Sequence, residues 1–128
     1  MIGFLIVTHE RVGKELKKAL EVIAGKQMLL DYISFKQDDK IDFLRKEISQ
    51  KIDALDKGEG VIIFTDLLGG SCTNISYEFK EIPEHKVKIV TGVNLNMLLD
   101  AVFERTGKSL YKLTNTIYQA SKKATVVL

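Results

Sequence analysis

The amino-acid sequence predicts an α/β fold in which an open, doubly wound and mostly parallel sheet is flanked by helices. Short apolar runs, each followed by an amphipathic stretch, recur along the chain, as expected of repeated βα units. The run Val61-Ile62-Ile63-Phe64 is apolar throughout, which is typical of a parallel strand covered on both faces. Right-handed crossovers between such strands lead to this architecture.

The chain of 128 residues is expected to form a single domain, residues 1–128, with one core. Hydrophobic residues make up 45% of the chain, charged residues 28%, and the formal net charge is +2. Cationic and anionic side chains are interspersed, which indicates solvated helix faces, so no nucleic-acid partner is predicted. The single cysteine, Cys72, favours a reducing compartment, and we therefore expect a cytoplasmic protein.

The first half of the chain contains two predicted βα units. Residues 3–8 form strand one, and apolar side chains at helical spacing predict helix one over residues 10–24. Residues 28–35 are a weaker second strand, after which Asp38 or Asp39 can cap helix two. The apolar positions of helix two are Ile41, Leu44, Ile48, Ile52 and Leu55.

The second half begins with the strand that we expect to be central, over residues 60–65. A tight turn at residues 67–70 leads into helix three over residues 71–79, and residues 87–91 form strand four. The sheet is therefore predicted to contain four parallel strands.

Two further helices are predicted near the end of the chain, over residues 94–106 and 109–123. The tail over residues 124–128 has β character and carries no charge that would protect an exposed edge. We expect this tail to pair with another strand, for which a partner subunit is the candidate.

Ligands of doubly wound sheets bind beyond the carboxyl ends of the strands. Three segments of this sequence follow predicted strands: Thr8-His9-Glu10, Asp66-Leu67-Leu68-Gly69-Gly70-Ser71 and Gly92-Val93-Asn94. The chemistry of the protein is expected at this edge.

His9 and Asp66 are the candidate catalytic residues of this edge. Imidazole has a nitrogen that is nucleophilic and largely unprotonated near neutral pH, so His9 can attack phosphorus without prior activation by a base. A carboxylate at Asp66 that accepts the Nδ1 proton would leave Nε2 as the nucleophile and stabilise the cationic ring formed on phosphorylation. The alternative for Asp66 alone is a structural turn or cap residue.

Gly69, Gly70 and Ser71 form a candidate phosphate-binding turn. Glycines allow backbone amides to approach an anion, and Ser71 is expected to cap helix three. The helix N-terminus favours a negative charge by roughly 0.3–1 kcal/mol, which positions an anion but creates little affinity by itself. The segment lacks the Gly-Lys-Ser/Thr ending of a nucleotide-binding loop, so no nucleotide cofactor is predicted.

Two other residues are expected to have structural roles. Cys72 lies near a helix N-terminus, but the arginine that a phosphatase-type loop requires is missing downstream. His85 falls in a polar turn at the opposite end of the sheet from His9 and is expected to be solvated. No Cys/His cluster has metal-ligand spacing, so no metal site is predicted.

With these residues in place, the sequence resembles the enzyme IIA component of the mannose class of the bacterial phosphoenolpyruvate-dependent sugar phosphotransferase system. The resemblance rests on Thr8-His9, on Asp66-Leu67-Leu68-Gly69-Gly70-Ser71 with Asn74, and on Thr91-Gly92-Val93-Asn94-Leu95 with Met97-Leu98-Leu99. These three motifs occur in the family's order and span nearly the whole chain.

The resemblance implies that His9 receives a phosphoryl group from the carrier protein HPr and passes it to a IIB protein, while Asp66 orients the histidine. It implies that the membrane components IIC and IID are indirect partners, that no cofactor is needed, and that a strand exchanged between subunits of a homodimer completes the sheet. The tail over residues 124–128 could be that strand. No residue is expected to encode which sugar is transported.

Two positions depart from the family pattern. Many relatives have proline where this chain has Cys72, and proline where it has Asn96. Neither position is His9 or Asp66, so the expected chemistry is retained. Loop rigidity and the choice of partner are the properties that these two changes call into question.

Three alternative functions agree less well with the sequence. A receiver-like module would be phosphorylated on Asp66, but it needs an acidic pair after strand one, where only Glu10 is present. A flavodoxin-like protein needs a Ser/Thr-rich phosphate loop after the same strand, which is missing. A relative that serves dihydroxyacetone kinase or a regulator shares the fold and a similarly placed histidine, and is the second choice.

Overall fold

Four strands and five helices alternate along the chain, which a computed structural model describes from Met1 to Leu128. The strands are β1 (Gly3–His9), β2 (Leu30–Phe35), β3 (Val61–Thr65) and β4 (Val87–Val90). The helices are α1 (Val12–Ala24), α2 (Ile41–Leu55), α3 (Ser71–Lys80), α4 (Leu95–Glu104) and α5 (Leu110–Ala124). No helix is both long and apolar enough to serve as a membrane span.

The four strands form one parallel sheet in the order β2-β1-β3-β4. Helices α2 and α3 cover one face, and α1, α4 and α5 cover the other. The predicted α/β class and the doubly wound parallel sheet are confirmed. Strand β3 lies inside the sheet, between β1 and β4, as its uniformly apolar sequence predicted.

The alternation of side chains along the two inner strands divides the interior into two apolar layers. Leu5 and Val7 of β1 face α2 and α3, whereas Phe4 and Ile6 face the helices on the other side. All four side chains are fully buried. The same alternation carries His9, two residues beyond Val7, to the face that α3 covers.

Helix α2 begins differently from the prediction. Neither Asp38 nor Asp39 caps it, because the Asp39 carboxylate accepts a hydrogen bond from the backbone amide of Lys36 (2.8 Å) and closes the preceding turn. Lys40 occupies the N-cap position without a side-chain cap. Four of the five predicted apolar positions are buried, but Ile41, in the first turn, is exposed.

The C-terminal tail does not form a strand within this chain. Helix α5 continues to Ala124, and residues 125–128 are extended and exposed. β4 stands at the end of the strand order, so one of its edges has no neighbour in the chain. Pairing of the tail with a partner subunit therefore stays a prediction.

Arg105 joins the end of α4 to the amino ends of the strands. Its side chain is buried and donates hydrogen bonds to the carbonyls of Ile2, Met28 and Leu29, with its guanidinium 4.1 Å from the centre of the Phe4 ring. Burial lowers the pKa of Arg105 to about 10, which still leaves the group charged at neutral pH. No carboxylate pairs with the Arg105 guanidinium, and the three carbonyls replace the water that would otherwise solvate it.

Candidate active site

His9 and Asp66 lie in direct contact at the carboxyl edge of the sheet. The distance between His9 Nδ1 and Asp66 Oδ2 is 2.8 Å, and the backbone amide of His9 donates to the same oxygen at 2.8 Å. The second oxygen, Oδ1, accepts a hydrogen bond from the amide of Leu67 (3.0 Å). The carboxylate is therefore held by three donors, two of which belong to His9.

The parallel register of the two inner strands explains this contact. Val7 of β1 lies opposite Thr65 of β3, so the residues that follow leave the sheet side by side. His9 is the last residue of β1, and Asp66 is the first residue after β3. Two residues separated by 57 positions in the sequence thus meet at one edge.

Partial burial raises the pKa of Asp66, but the hydrogen bonds that His9 donates from its backbone amide and its ring outweigh this effect and leave the pKa below its usual value. The carboxyl group is therefore ionised at neutral pH and can only accept hydrogen bonds. It follows that His9 Nδ1 carries the proton and that Nε2 has the free lone pair. The His9 side chain is 42% exposed and the Asp66 side chain only 15%, so the ring is accessible while the carboxylate is shielded.

The turn before α3 approaches the edge of the His9 ring. A Cβ atom placed on Gly70 would lie 3.1 Å from His9 Cε1, the carbon between the two ring nitrogens, so this position tolerates little more than a hydrogen. Gly69 has φ +87°, a left-handed conformation that L-residues rarely adopt. The turn therefore passes close to the ring.

The predicted cap at Ser71 is wrong. Gly70, in an extended conformation, is the N-cap of α3, and no side chain caps the helix. Ser71 is the first helical residue, so its hydroxyl lies beyond the position from which it could accept the amides of the first turn. These uncapped amides, at the positive end of the helix, remain available to an anion.

Phe35 and Cys72 also contact His9, and sequence reasoning missed both contacts. The Phe35 ring meets the imidazole edge to face, with centroids 6.2 Å apart. Cys72 Sγ lies 3.9 Å from His9 Nδ1. Burial and the nearby charge of Asp66 raise the pKa of the Cys72 thiol to about 12, so the sulfur is a neutral neighbour of the ring. The contact with Phe35 could have been predicted, because β2 ends at Phe35 beside the end of β1 at His9.

A hollow of about 360 Å³ opens beside the ring and is lined by His9, Glu10, Phe35, Lys36 and Gln37. Glu10 has a left-handed backbone with φ +50°, its amide donates to the carbonyl of Phe35 (2.9 Å), and its carboxylate accepts from the amide of Gln37 (2.9 Å). The segment after β1 is thus attached to the loop after β2. This arrangement delays the start of α1 to Val12, two residues later than predicted.

The third predicted segment, Gly92-Val93-Asn94, has a structural function at the same edge. Asn94 caps α4 by accepting a hydrogen bond from the amide of Met97 (2.9 Å), and the amide of Val93 donates to the carbonyl of Thr65 (2.9 Å).

The expectation that His85 is solvated is wrong. It is half-buried, with its Nε2 3.8 Å from a carboxylate oxygen of Asp53.

Folding gathers three potential metal ligands, on His9, Asp66 and Cys72, whose ligand atoms all lie within 4.8 Å of one another. The sequence spacing of these residues gave no indication of this cluster. The 2.8 Å separation of nitrogen and oxygen is that of a hydrogen bond and is shorter than the spacing of two ligands around a tetrahedral metal ion. The positive end of α3 also disfavours a cation, so the cluster is better suited to proton and anion chemistry.

Comparison with known proteins points to one family. The EIIA-man family model, described as PTS system fructose IIA component, matches residues 3–118. The PTS system mannose-specific EIIAB component of Escherichia coli (strain K12) is 28% identical over 104 residues, which is 81% of this chain and 32% of that protein. The chain thus spans about a third of the length of the curated relatives it matches first.

Solved structures support the same relationship. The crystal structure of phosphotransferase system component EIIA from Streptococcus agalactiae superimposes with a TM-score of 0.91 at 29% identity, over 99% of this chain and 97% of that one. The mannose/sorbose specific IIA subunit from Enterococcus faecalis gives a TM-score of 0.87 at 17% identity, over 99% and 94% of the two chains. The latter likeness concerns the fold alone.

Proposed function

Because the chain belongs to the EIIA-man family of phosphotransferase system IIA components, we propose that it is a phosphoryl carrier that uses His9 as the acceptor. The observation that carries this proposal is the 2.8 Å contact between His9 Nδ1 and the ionised Asp66 carboxylate. That contact leaves Nε2 free on an accessible ring. The donor would be phosphorylated HPr and the acceptor a IIB protein, in a pathway of sugar uptake.

In the proposed step, the Nε2 lone pair of His9 attacks the phosphorus atom of a phosphohistidine on HPr. The new bond joins Nε2 to phosphorus, the bond between phosphorus and the donor nitrogen breaks, and its electron pair returns to the donor ring. The Nδ1 proton stays on His9, which becomes cationic. Asp66 stabilises this cation through the hydrogen bond that it already accepts. Transfer to IIB repeats this step with His9 as the donor. A nucleophile of IIB attacks phosphorus, the bond between Nε2 and phosphorus breaks, and its electron pair returns to the His9 ring.

The transferred phosphoryl group would rest against the turn formed by Gly69, Gly70 and Ser71. The uncapped amides of α3 would supply hydrogen-bond donors, and the close approach of Gly70 to the ring carbon Cε1 supports this location. Such preorganised donors act on the charge that develops during transfer. Neither a metal nor an organic cofactor takes part in this mechanism.

The proposed place of action is the cytoplasm, where the chain would work as a homodimer. Its contact with the membrane components IIC and IID would be indirect, through IIB. The sugar does not touch this protein in the proposed pathway. Residues of this chain would therefore not determine which sugar is transported.

Phosphorylation of Asp66, as in a receiver-like module, is disfavoured by the geometry. Both carboxylate oxygens accept hydrogen bonds, and the side chain is only 15% exposed. Attack on a phosphoryl donor would have to break these bonds and expose the group. A phosphorylated protein that loses its label in acid and keeps it in base would agree with a phosphohistidine and exclude the acyl phosphate.

Two histidines in the chain provide a matched pair of variants for the test. Purified protein is incubated with labelled phosphoenolpyruvate, enzyme I and HPr. We expect the wild-type protein and His85→Ala to be labelled equally, because His85 lies far from the carboxyl edge. His9→Ala should take no label. Normal labelling of His9→Ala would contradict the proposal.

A further inference from the structure

Two buried threonines connect the strand before Asp66 to the turn after it. Thr65 and Thr73 are 0% and 6% exposed, and their hydroxyl oxygens are 2.7 Å apart. The Thr73 hydroxyl donates to the backbone carbonyl of Leu67 at 2.6 Å. A hydroxyl has a single proton, so Thr65 must be the donor between the two threonines. The direction of this relay is therefore fixed: Thr65 donates to Thr73, which donates to Leu67.

The turn that the relay reaches has few other attachments. Leu67 and Leu68 expose 51% and 78% of their surface, so burial of apolar side chains does not anchor the turn. The side-chain amide of Asn74 donates to the carbonyl of Gly69 only at 3.4 Å. The relay supplies the shortest side-chain hydrogen bond to a backbone group of the turn. The bond between Thr65 and Thr73 is buried, which strengthens it relative to a solvated bond.

Asp66 lies between the two residues that the relay holds. Thr65 precedes it and Leu67 follows it, and the amide of Leu67 donates to Asp66 Oδ1. A shift of the Leu67 peptide would therefore rotate the carboxylate that meets His9. A comparable device precedes His9, where the Thr8 hydroxyl accepts a buried hydrogen bond of 2.7 Å from the amide of Gly13 in α1.

We propose that Thr73 is a positioning residue, which through its bonds to Thr65 and Leu67 holds the Asp66 carboxylate against His9 Nδ1. In its catalytic consequence this inference rests on the proposed phosphoryl transfer. Its structural part concerns the tautomer of His9 and does not depend on phosphoryl transfer. Thr73 touches neither the imidazole nor the phosphoryl group and acts only through Asp66.

The test compares Thr73→Val, which keeps the shape and removes the hydroxyl, with Thr73→Ser, which keeps the hydroxyl. The matched control is Thr116→Val, which removes a hydroxyl bonded to the carbonyl of Lys112 in α5, outside the site. The first readout is the tautomer of His9, from the nitrogen chemical shifts of the imidazole in the full-length protein without phosphate. The second is the rate of phosphoryl transfer from HPr.

Thr73→Val is expected to increase the population with the proton on Nε2 and to slow transfer about tenfold, because small misplacements of an orienting group reduce rates steeply. Thr73→Ser and Thr116→Val should retain the wild-type tautomer, and Thr73→Ser should transfer within about twofold of the wild-type rate. A folded Thr73→Val with the wild-type tautomer would overturn the proposal.

Thr65→Val provides a second test, which remains informative if Thr73→Val does not fold. It removes the first donor of the relay and leaves the bond between Thr73 and Leu67 in place. We expect a smaller shift of the same sign in the His9 tautomer, and no shift would overturn the proposal. If wild-type protein accepts no phosphoryl group, the proposed function fails, whereas a tautomer shift in Thr73→Val would still support the relay.

Discussion

At the scale of single residues, His9 and Asp66 differ in exposure, and this difference matches the functions proposed for them. The His9 ring is accessible enough to meet a protein-bound phosphoryl group, while the Asp66 carboxylate is shielded and held by three donors. A carboxylate in this environment orients the ring and balances its charge without competing as a nucleophile. The neutral thiol of Cys72 adds no charge to the pair.

The depressed pKa of Asp66 predicts a pH-dependent contribution to stability. A carboxyl group with a lower pKa in the folded state stabilises the protein above its unfolded pKa, about 3.9 for aspartate. This contribution is lost as the pH falls through the folded value. We therefore expect the stability difference between wild type and Asp66→Asn to shrink as the pH falls below about 4.

Chemical unfolding at a series of pH values measures this difference. Asp100→Asn is a suitable control, because Asp100 interacts only with the neighbouring Asn96 side chain on α4. A difference for Asp66→Asn that did not change between pH 7 and pH 2 would contradict the assigned pKa shift.

Adjacent glycines in the turn before α3 allow crowding and backbone strain to be distinguished. In Gly70→Ala the new Cβ would lie 3.1 Å from His9 Cε1, so the ring must move, and we expect transfer to slow about tenfold. In Gly69→Ala nothing lies within 4 Å of the new Cβ, but the left-handed backbone should cost about 1–2 kcal/mol of stability.

Transfer rates and urea unfolding of the two variants provide the measurement. Gly70→Ala should have the slower transfer and Gly69→Ala the lower stability. The reverse order of the rates would show that Gly70 does not limit the space around His9.

At the scale of secondary-structure elements, Arg105 is the connection that sequence patterns did not reveal. It lies just beyond α4 and satisfies carbonyls at the start of β1 and in the segment before β2. Arg105→Met keeps much of the apolar contact with Phe4 but removes the donor to the carbonyls of Ile2 and Met28, while Leu29 keeps the backbone amide of Phe4 as a donor. We expect a loss of about 2–4 kcal/mol in the free energy of unfolding.

Urea denaturation tests this prediction, with Arg45→Met as the control. Arg45 pairs with Asp42 and Glu78 on the exposed surface of α2 and α3, where ion pairs contribute little. Equal losses in the two variants would refute the structural importance of Arg105.

Sequence patterns predicted the elements well where burial alone determines them. The helical spacing of Leu44, Ile48 and Ile52 and the apolar run of β3 identify buried faces that the structure retains. Helix starts were less predictable, because several polar side chains can satisfy the same amides. Asp39 closes a turn instead of capping α2, and Gly70 takes the N-cap position that Ser71 was expected to hold.

The location of the candidate site was predictable from the sequence, but its side-chain contacts were not. Strand ends placed His9 and Asp66 at one edge, since parallel strands share their direction. The contacts of Phe35 and Cys72 with the ring depend on side-chain orientations across elements, which periodicity does not encode. The relay through Thr73 depends on the same kind of information.

At the scale of the whole molecule, the open edge of β4 and the exposed tail suggest how two copies could associate. A groove of about 470 Å³ runs along β4 and α5, with Ile89, Tyr111 and Tyr118 among its lining residues. Val127 and Leu128 are fully solvent-exposed in the single chain. An apolar tail that adds to β4 of a second copy would cover both surfaces.

Deletion of residues 125–128 is therefore expected to weaken dimerisation while leaving the fold intact, because the tail makes no strand pairing within the chain. Sedimentation velocity at several protein concentrations measures the effect. Substitution of Val22, an exposed apolar residue of α1, by serine is the control. A truncated protein that dimerises as strongly as the full chain would contradict the exchange.

The position of the phosphoryl group on the His9 ring tests the central claim most directly. Because Asp66 accepts a hydrogen bond from Nδ1, the proposed transfer would bond the phosphoryl group to Nε2. Two-dimensional NMR correlating ring protons with ring nitrogens of the phosphorylated protein distinguishes the two isomers. The account predicts phosphorus on Nε2 with the proton retained on Nδ1. Phosphorus on Nδ1 would contradict it.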